Sequence, residues 1–407
     1  MNNYRLLRFN FFNINIYLVI ILFFLLLLFI GDGVSKYLVI QGNSLSRISL
    51  VVRFLFEIVI ITYLLKNIKR NTSIYISAIA LLLITFVLGQ FLIENENNLI
   101  ENFISFNKYI YLFLVFAFLQ KILLLSDRDK NKIYNLLTNL FILNMIFVSL
   151  GLIFELNFFK SFHDMDYRFG YNGVFLAGNE SSFVLISIMS LFYFKAFYED
   201  GSKILLLLFI FISMLSGMKA IYAFIMLLLL FHISYKMKKI HFLWIIPIIL
   251  YTSSIVLEYI MSEEFQLLIS FFMKTLETKG IVYMLLSGRN EILANESILI
   301  MNNWNFLNFF FGGRDVVNYI MEMDFFDLIF FFGGFGSLIY IYLFYKSFIQ
   351  KLLWHKFFTF FIFSILLLSF LGGHFLTSPT TAVYFTLVIL YFQNYRIKQH
   401  AKNIINK

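Results

Sequence analysis

Residues 14–30 read INIYLVIILFFLLLLFI, an almost unbroken apolar run that follows a basic start at Arg5 and Arg8. A helix that spans a bilayer needs about 20 apolar residues, so this run has nearly the length of a spanning helix. A signal peptide has the same basic start, but glycine and aspartate at 31–33 replace the small-residue cleavage site. We therefore expect this run to be retained as the first transmembrane helix.

Apolar runs of this kind recur along the whole chain. Hydrophobic residues make up 61% of the 407 residues and charged residues only 14%, too few to cover a soluble protein of this size. We expect an all-α, polytopic integral membrane protein of about twelve transmembrane helices, forming a single domain over residues 1–407. The predicted helices are 14–30, 48–65, 74–93, 107–125, 133–154, 181–198, 204–216, 220–235, 241–258, 325–345, 357–371 and 379–393.

Basic residues between the runs predict the orientation of the chain. Lysine and arginine cluster after even-numbered runs, at 66–70, 128–132, 236–239, 346–356 and 396–407. Because cytoplasmic loops carry the excess of these residues, we expect an even number of helices with both termini in the cytoplasm. The net charge of +9 is then an orientation signal toward anionic lipids, and nucleic acid is not an expected partner. The segment 259–324, between the ninth and tenth predicted helices, becomes a long extracytoplasmic loop.

Charged and metal-binding residues are scarce inside the predicted helices. Arg53 and Glu57 lie four residues apart in the second run, so they share a helix face and are expected to neutralise each other. With no matching charge expected in the other runs, a proton-coupled transporter is disfavoured. The absence of cysteine excludes disulfides and a cysteine nucleophile, and the six histidines show no ligand spacing. We therefore expect no metal and no cofactor.

Polar motifs concentrate on the predicted extracytoplasmic side. Four cations there stand near helix ends and beside small residues: Arg168, Lys219, Arg289 and Arg314. The planar fork of arginine suits phosphate oxygens, and helix N-termini add partial positive charge, so this set predicts a diphosphate site. The acids Glu322, Asp324 and Asp327 can serve an acceptor hydroxyl as a general base.

The order of these motifs between about 165 and 380 resembles that of the bacterial O-antigen polymerase and O-antigen ligase families. The shared pieces are Arg168 with Gly170, Gly173 and Asn179; Ser216–Lys219; Ser287–Arg289; Phe311–Arg314; Glu322 and Asp324 before Gly333 and Gly336; and Gly373–His374 with Ser378.

The resemblance implies a GT-C-like, metal-independent glycosyltransferase in the bacterial cytoplasmic membrane. It would transfer a glycan from undecaprenyl pyrophosphate, so its partners would be this lipid-linked oligosaccharide, the lipid bilayer and a chain-length regulator protein. The residues expected to bind pyrophosphate and glycan are Arg168, Asn179, Lys219, Arg289 and Arg314. The candidates for the catalytic residue are Glu322, Asp324 and His374.

Polymerase, ligase and transporter functions compete for this sequence. Ligases of this kind carry a histidine-containing pair before the glycine-spaced helix, where this chain has Met323 and Asp324. The difference favours a polymerase of repeat units for O-antigen, capsule or exopolysaccharide over a ligase that joins finished glycan to a lipid A core. A flippase for lipid-linked oligosaccharide is a third alternative, although the sequence shows no internal repeat.

Overall fold

The computed structural model is all-helical, with 81% of residues in helices and no strand in the part of the chain that it describes. The described residues are 15–43, 48–68, 70–93, 98–162, 169–235, 263–319, 321–352 and 355–405. The helices, numbered in chain order, are α1 (Ile16–Ile40), α2 (Ile48–Lys66), α3 (Arg70–Phe91), α4 (Leu99–Leu119), α5 (Asp127–Ile153), α6 (Gly178–Tyr198), α7 (Lys203–Met214), α8 (Lys219–Tyr235), α9 (Glu263–Leu286), α10 (Arg289–Asn302), α11 (Asn308–Phe311), α12 (Asp324–Phe344), α13 (Lys356–Gly372) and α14 (Pro379–Ile405).

Seven of the described helices, α1 to α6 and α12, are long and apolar enough to cross a membrane. Every predicted apolar run except 241–258 coincides with a helix, and that run lies outside the described residues. Three of the coinciding helices (α7, α8 and α13) are shorter than a full span. The prediction of an α-helical membrane protein is confirmed at this level, whereas twelve spans and a GT-C-like bundle stay predictions.

The first helix is longer than its apolar run suggested. The glycines at 31 and 33 do not end α1, which continues through a second apolar stretch to Ile40. Isolated glycines weaken a helix by only about 1 kcal/mol each, and tertiary packing outweighs that cost. As a result Asp32 and Lys36, which the sequence placed in a loop, lie buried inside the bundle. This difference rearranges the expected charge pairs.

The centre of the bundle is formed by α4, α6 and α14. Residues 109–119 of α4 and 181–194 of α6 are buried without a break, as expected for helices surrounded by others. Aromatic side chains fill the space between them; the ring of Phe194, for example, lies 5.2 Å from that of Phe392. The outer helices α1 to α3 instead expose many large apolar side chains, which suits a lipid environment.

The elements α3, α11 and α12 approach closely at three glycines, Gly89, Gly312 and Gly333. A side chain on Gly89 would place its Cβ 2.5 Å from the Phe311 carbonyl oxygen, and one on Gly333 would lie 2.3 Å from the Gly312 nitrogen. Gly333 also has a φ of +64°, a left-handed conformation that other residues adopt only at a cost. These contacts fix the residues that follow α11 against the end of α3 and against the kink at Gly333 inside α12.

Candidate functional site

Several helix ends with polar side chains meet at one end of the bundle. Here α6, α12 and α14 begin, α3 and α13 end, and the segment containing α10 and α11 packs over them. For example, the side-chain Nε2 of Gln90, near the end of α3, donates to the Arg314 carbonyl oxygen at 3.3 Å. We call this region the polar end.

The most buried ion pair at the polar end joins Arg314 to Asp327. A guanidinium nitrogen of Arg314 donates to Asp327 Oδ1, and the two side chains are only 7% and 14% exposed. Asp327 lies in the first turn of α12, so the pair anchors the loop after α11 to that helix. The Nε of Arg314 is buried and has no partner among the described residues. The guanidinium therefore retains an unused donor beside the helix end.

A second, more accessible pair joins Arg289 to Glu322. Arg289 Nε donates to Glu322 Oε2 at 3.3 Å, and the side chains are 15% and 38% exposed. Glu322 has a φ of +55°, and its carbonyl oxygen contacts the backbone of Gly373 so closely that a Cβ there would lie at 2.4 Å. This contact brings His374, half-buried and at a φ of +67°, next to the pair.

Asp324 lies at the start of α12 and holds the turn after α13. Its Oδ2 accepts from Ser369 Oγ at 2.6 Å, from the Phe375 nitrogen at 2.8 Å and from the Leu376 nitrogen at 3.2 Å. The residue is only 1% exposed. Three donors on one carboxylate oxygen hold the turn, whereas Asp324 Oδ1 is buried and has no partner among the described residues. Asp324 is thus the buried acid, and Glu322 is the more accessible one.

Lys219 connects the start of α8 to the segment that carries Arg289. Its Nζ donates to Ser287 Oγ at 2.9 Å and to the Met284 carbonyl oxygen at 3.1 Å, and the side chain is exposed. Asn179, also exposed, is the second residue of α6, whose first residue contacts Met218. Lys219 and Asn179 thus belong to the same end of the bundle as the two arginines.

Of the four cations predicted to bind a diphosphate, Lys219, Arg289 and Arg314 therefore lie at the polar end. Arg168 lies outside the described residues. Its neighbour Phe169 contacts the turn before α8, where a Cβ on Gly217 would lie 2.0 Å from the Phe169 carbonyl oxygen. The roles of all these residues in binding or catalysis stay predictions.

Arg53 is held by Asp32 of α1, and the expected pair with Glu57 is wrong. A guanidinium nitrogen of Arg53 donates to Asp32 Oδ1 at 2.8 Å and also to the Thr380 hydroxyl. Glu57 instead accepts from the side-chain nitrogen of Asn107 at 2.8 Å. The expectation was wrong because α1 extends past residue 30 and brings Asp32 next to Arg53.

Lys36, one turn beyond Asp32, fixes a loop across the polar end. Its Nζ donates to Asn172 Oδ1 at 2.6 Å and to the Gly173 carbonyl oxygen at 2.7 Å, and the side chain is fully buried. An unpaired ammonium inside a protein is costly, so these acceptors are needed. Lys36 thereby ties the loop before α6 to α1.

The turn between α13 and α14 joins two polar clusters, one around Asp324 and one around Arg53. At one side Phe375 and Leu376 donate to Asp324, and at the other Ser378 Oγ donates to Glu180 Oε2 at 2.9 Å. Thr380, the second residue of α14, accepts from Arg53. Asp32, Glu180 and Thr380 were not among the predicted site residues. They lie on three helices that are distant in the sequence, and no local pattern shows that α1, α6 and α14 meet.

Comparison with known proteins finds no matching family model, no matching curated protein and no matching solved structure. The class of the protein therefore follows from its own architecture. Its apolar helices define an α-helical, multi-pass membrane protein whose environment is a lipid bilayer.

Proposed function

We propose that this chain is a glycosyltransferase of the bacterial cytoplasmic membrane that polymerises lipid-linked repeat units. It transfers a glycan from undecaprenyl pyrophosphate onto a hydroxyl group of a further lipid-linked unit. The transfer takes place at the outer face of the cytoplasmic membrane. The observation that carries the proposal is the convergence of Lys219, Arg289 and Arg314 with Glu322 at one end of a membrane bundle.

The distribution of charge supports an extracytoplasmic polar end with both chain termini in the cytoplasm. The opposite end of the bundle, where α5 begins and α14 ends, is strongly basic. Lys398 pairs there with Asp127 at 3.0 Å, and Lys130 donates to the Asn394 side-chain oxygen at 2.9 Å. Loops rich in lysine and arginine stay on the cytoplasmic side, so the polar end faces outward.

The arrangement suits a diphosphate leaving group. Arg289, with a side chain 15% exposed, is the more accessible guanidinium, and Arg314, 7% exposed, lies deeper. The N-termini of α6, α12 and α14 add partial positive charge in the same region. Preorganised cations in a site poor in water stabilise developing negative charge better than they do in bulk water.

The transfer step assigns one role to each group. The acceptor hydroxyl oxygen attacks the anomeric carbon of the donor glycan while Glu322 accepts the hydroxyl proton. The bond from this carbon to the diphosphate oxygen breaks, and its electron pair leaves with the lipid diphosphate. Lys219, Arg289 and Arg314 stabilise that charge, Asp324 positions the turn that carries His374, and Asn179 contacts the glycan.

Complementation of a gene deletion tests the proposal. Arg289→Ala should leave single repeat units on the cell surface, and Arg289→Lys should restore polymer poorly, because an ammonium lacks the planar fork. The matched control is Lys279→Ala. Lys279 lies in α9 and forms an exposed ion pair with Glu291 of α10, so its loss should leave the polymer ladder intact.

The deletion strain itself separates the competing functions. Loss of chain length with single units still exported supports the polymerase. Full-length glycan left on undecaprenyl pyrophosphate would assign a ligase instead, and units retained on the cytoplasmic side would assign a flippase. Full-length polymer from the Arg289→Ala variant would contradict the proposed site.

A further inference from the structure

A cavity of about 230 Å³ opens at the polar end between α1, α2, α6 and α14. It is separate from the Arg289 and Arg314 pairs and has a mixed lining. Charged groups come from Asp32, Arg53 and Glu180, hydroxyl groups from four serine and threonine residues, and an apolar wall from Phe175 and Leu176. A concave apolar site with a few converging polar groups is the usual form of a small-molecule site.

The charge of the described lining residues disfavours an anion. Their two carboxylates and one guanidinium leave one net negative charge, and Arg53 is already paired with Asp32 at 2.8 Å. A diphosphate would therefore be repelled here, whereas the cations Lys219, Arg289 and Arg314 attract it. The two clusters thus differ in the kind of ligand they accept.

The cavity is much larger than the volume that a single bare ion fills. At about 30 Å³ for each water, a volume of 230 Å³ corresponds to roughly eight waters, which is room for a ring with several substituents. Carboxylate, guanidinium and hydroxyl groups together offer both donors and acceptors, which is what a neutral polyol requires. The apolar wall beside them accommodates the carbon face of a ring.

An unused hydrogen-bonding group at the cavity fits the same ligand. The Nε of Arg53 is buried and has no partner among the described residues. Arg53 lines the cavity, so a ligand there can accept from this nitrogen. Buried polar groups normally find partners, so this donor favours a hydroxylated ligand or ordered water.

We infer that the cavity binds one uncharged sugar ring of the lipid-linked glycan. The turn between α13 and α14 places this ring beside the transfer site, since Ser378 contacts Glu180 in the cavity lining and Phe375 contacts Asp324. The source of the sugar rests on the proposed transferase function, but the binding of a sugar is measurable without any transfer.

The test uses the full chain in lipid nanodiscs, because sugar-based detergents would compete. Saturation-transfer NMR with methyl glycosides of neutral hexoses and N-acetylhexosamines measures ring binding, and inorganic pyrophosphate is the second probe. Ala177→Met, which fills the cavity, and the isosteric Glu180→Gln should each weaken the best glycoside by about tenfold or more. Ala294→Met, on the exposed face of α10, is the matched control and should bind as the native chain does.

The two probes keep this inference distinct from the proposed function. Pyrophosphate binding should be lost in Arg289→Ala and unchanged in Ala177→Met. Glycoside binding without pyrophosphate binding would support the ring site and contradict the diphosphate site. The inference is overturned if no glycoside binds the native chain, or if folded Ala177→Met and Glu180→Gln bind it unchanged.

Discussion

Replacement of Asp324 separates a positioning residue from a catalytic base. Its Oδ2 accepts three hydrogen bonds that hold the turn after α13. Each bond to a carboxylate contributes about 1.5–3 kcal/mol, but bonds that share one oxygen are not additive, so Asp324→Ala should cost about 3–5 kcal/mol. Asp324→Asn keeps an acceptor oxygen at the same place and should cost only about 1–3 kcal/mol.

Thermal unfolding in nanodiscs measures the stability of the two variants, and polymer ladders from complemented deletion cells measure their activity. We expect Asp324→Asn to fold and to keep most of the polymer, because the turn that carries His374 stays in place. Glu322→Gln should fold as well but lose the polymer, since the amide cannot accept the hydroxyl proton. A folded Asp324→Asn variant without polymer would refute the positioning role and restore Asp324 as the base.

Two further predictions concern the frame around the site. Arg53→Met leaves the buried Asp32 without its cation and should lower the unfolding free energy by about 3–5 kcal/mol, whereas adding Asp32→Asn should recover part of the loss; equal melting temperatures for the native chain and the single variant would contradict the pair. Gly333→Ala forces a side chain against the Gly312 backbone at positive φ and should cost about 3 kcal/mol or more, while the neighbouring Gly334→Ala, whose nearest contact is 3.4 Å, should be mild. A Gly333→Ala variant as stable as Gly334→Ala would show that α11 and α12 are not in such close contact.

The helices were predictable from sequence because hydropathy is a local property. Each run of apolar residues carries its own signal, and the bounds of α2, α6 and α12 agree with their runs within a few residues. The end of α1 was predicted wrongly because only this local signal was used. Local glycines suggested a stop at residue 31, but burial against α2 and the loop before α6 continues the helix to Ile40.

The choice of partners was not predictable because it depends on which helices become neighbours. Spacing correctly placed Arg53 and Glu57 on the same helix, yet each contacts a residue from another helix instead. Likewise, Arg289 and Glu322 are 33 positions apart in the sequence, and no local pattern indicates their contact. Sequence motifs indicated which cations to examine, and the tertiary structure shows that Glu322 pairs with Arg289 and Asp327 with Arg314.

The most direct test of the central claim is native mass spectrometry of the purified chain with undecaprenyl pyrophosphate and with undecaprenol. If Lys219, Arg289 and Arg314 form a diphosphate site, the native chain should bind the pyrophosphate lipid in preference to the alcohol. The combined Arg289→Ala and Arg314→Ala variant should lose that preference while still binding both lipids weakly through its apolar surface. Equal binding of the two lipids by the native chain, or an unchanged preference in the variant, would contradict the account.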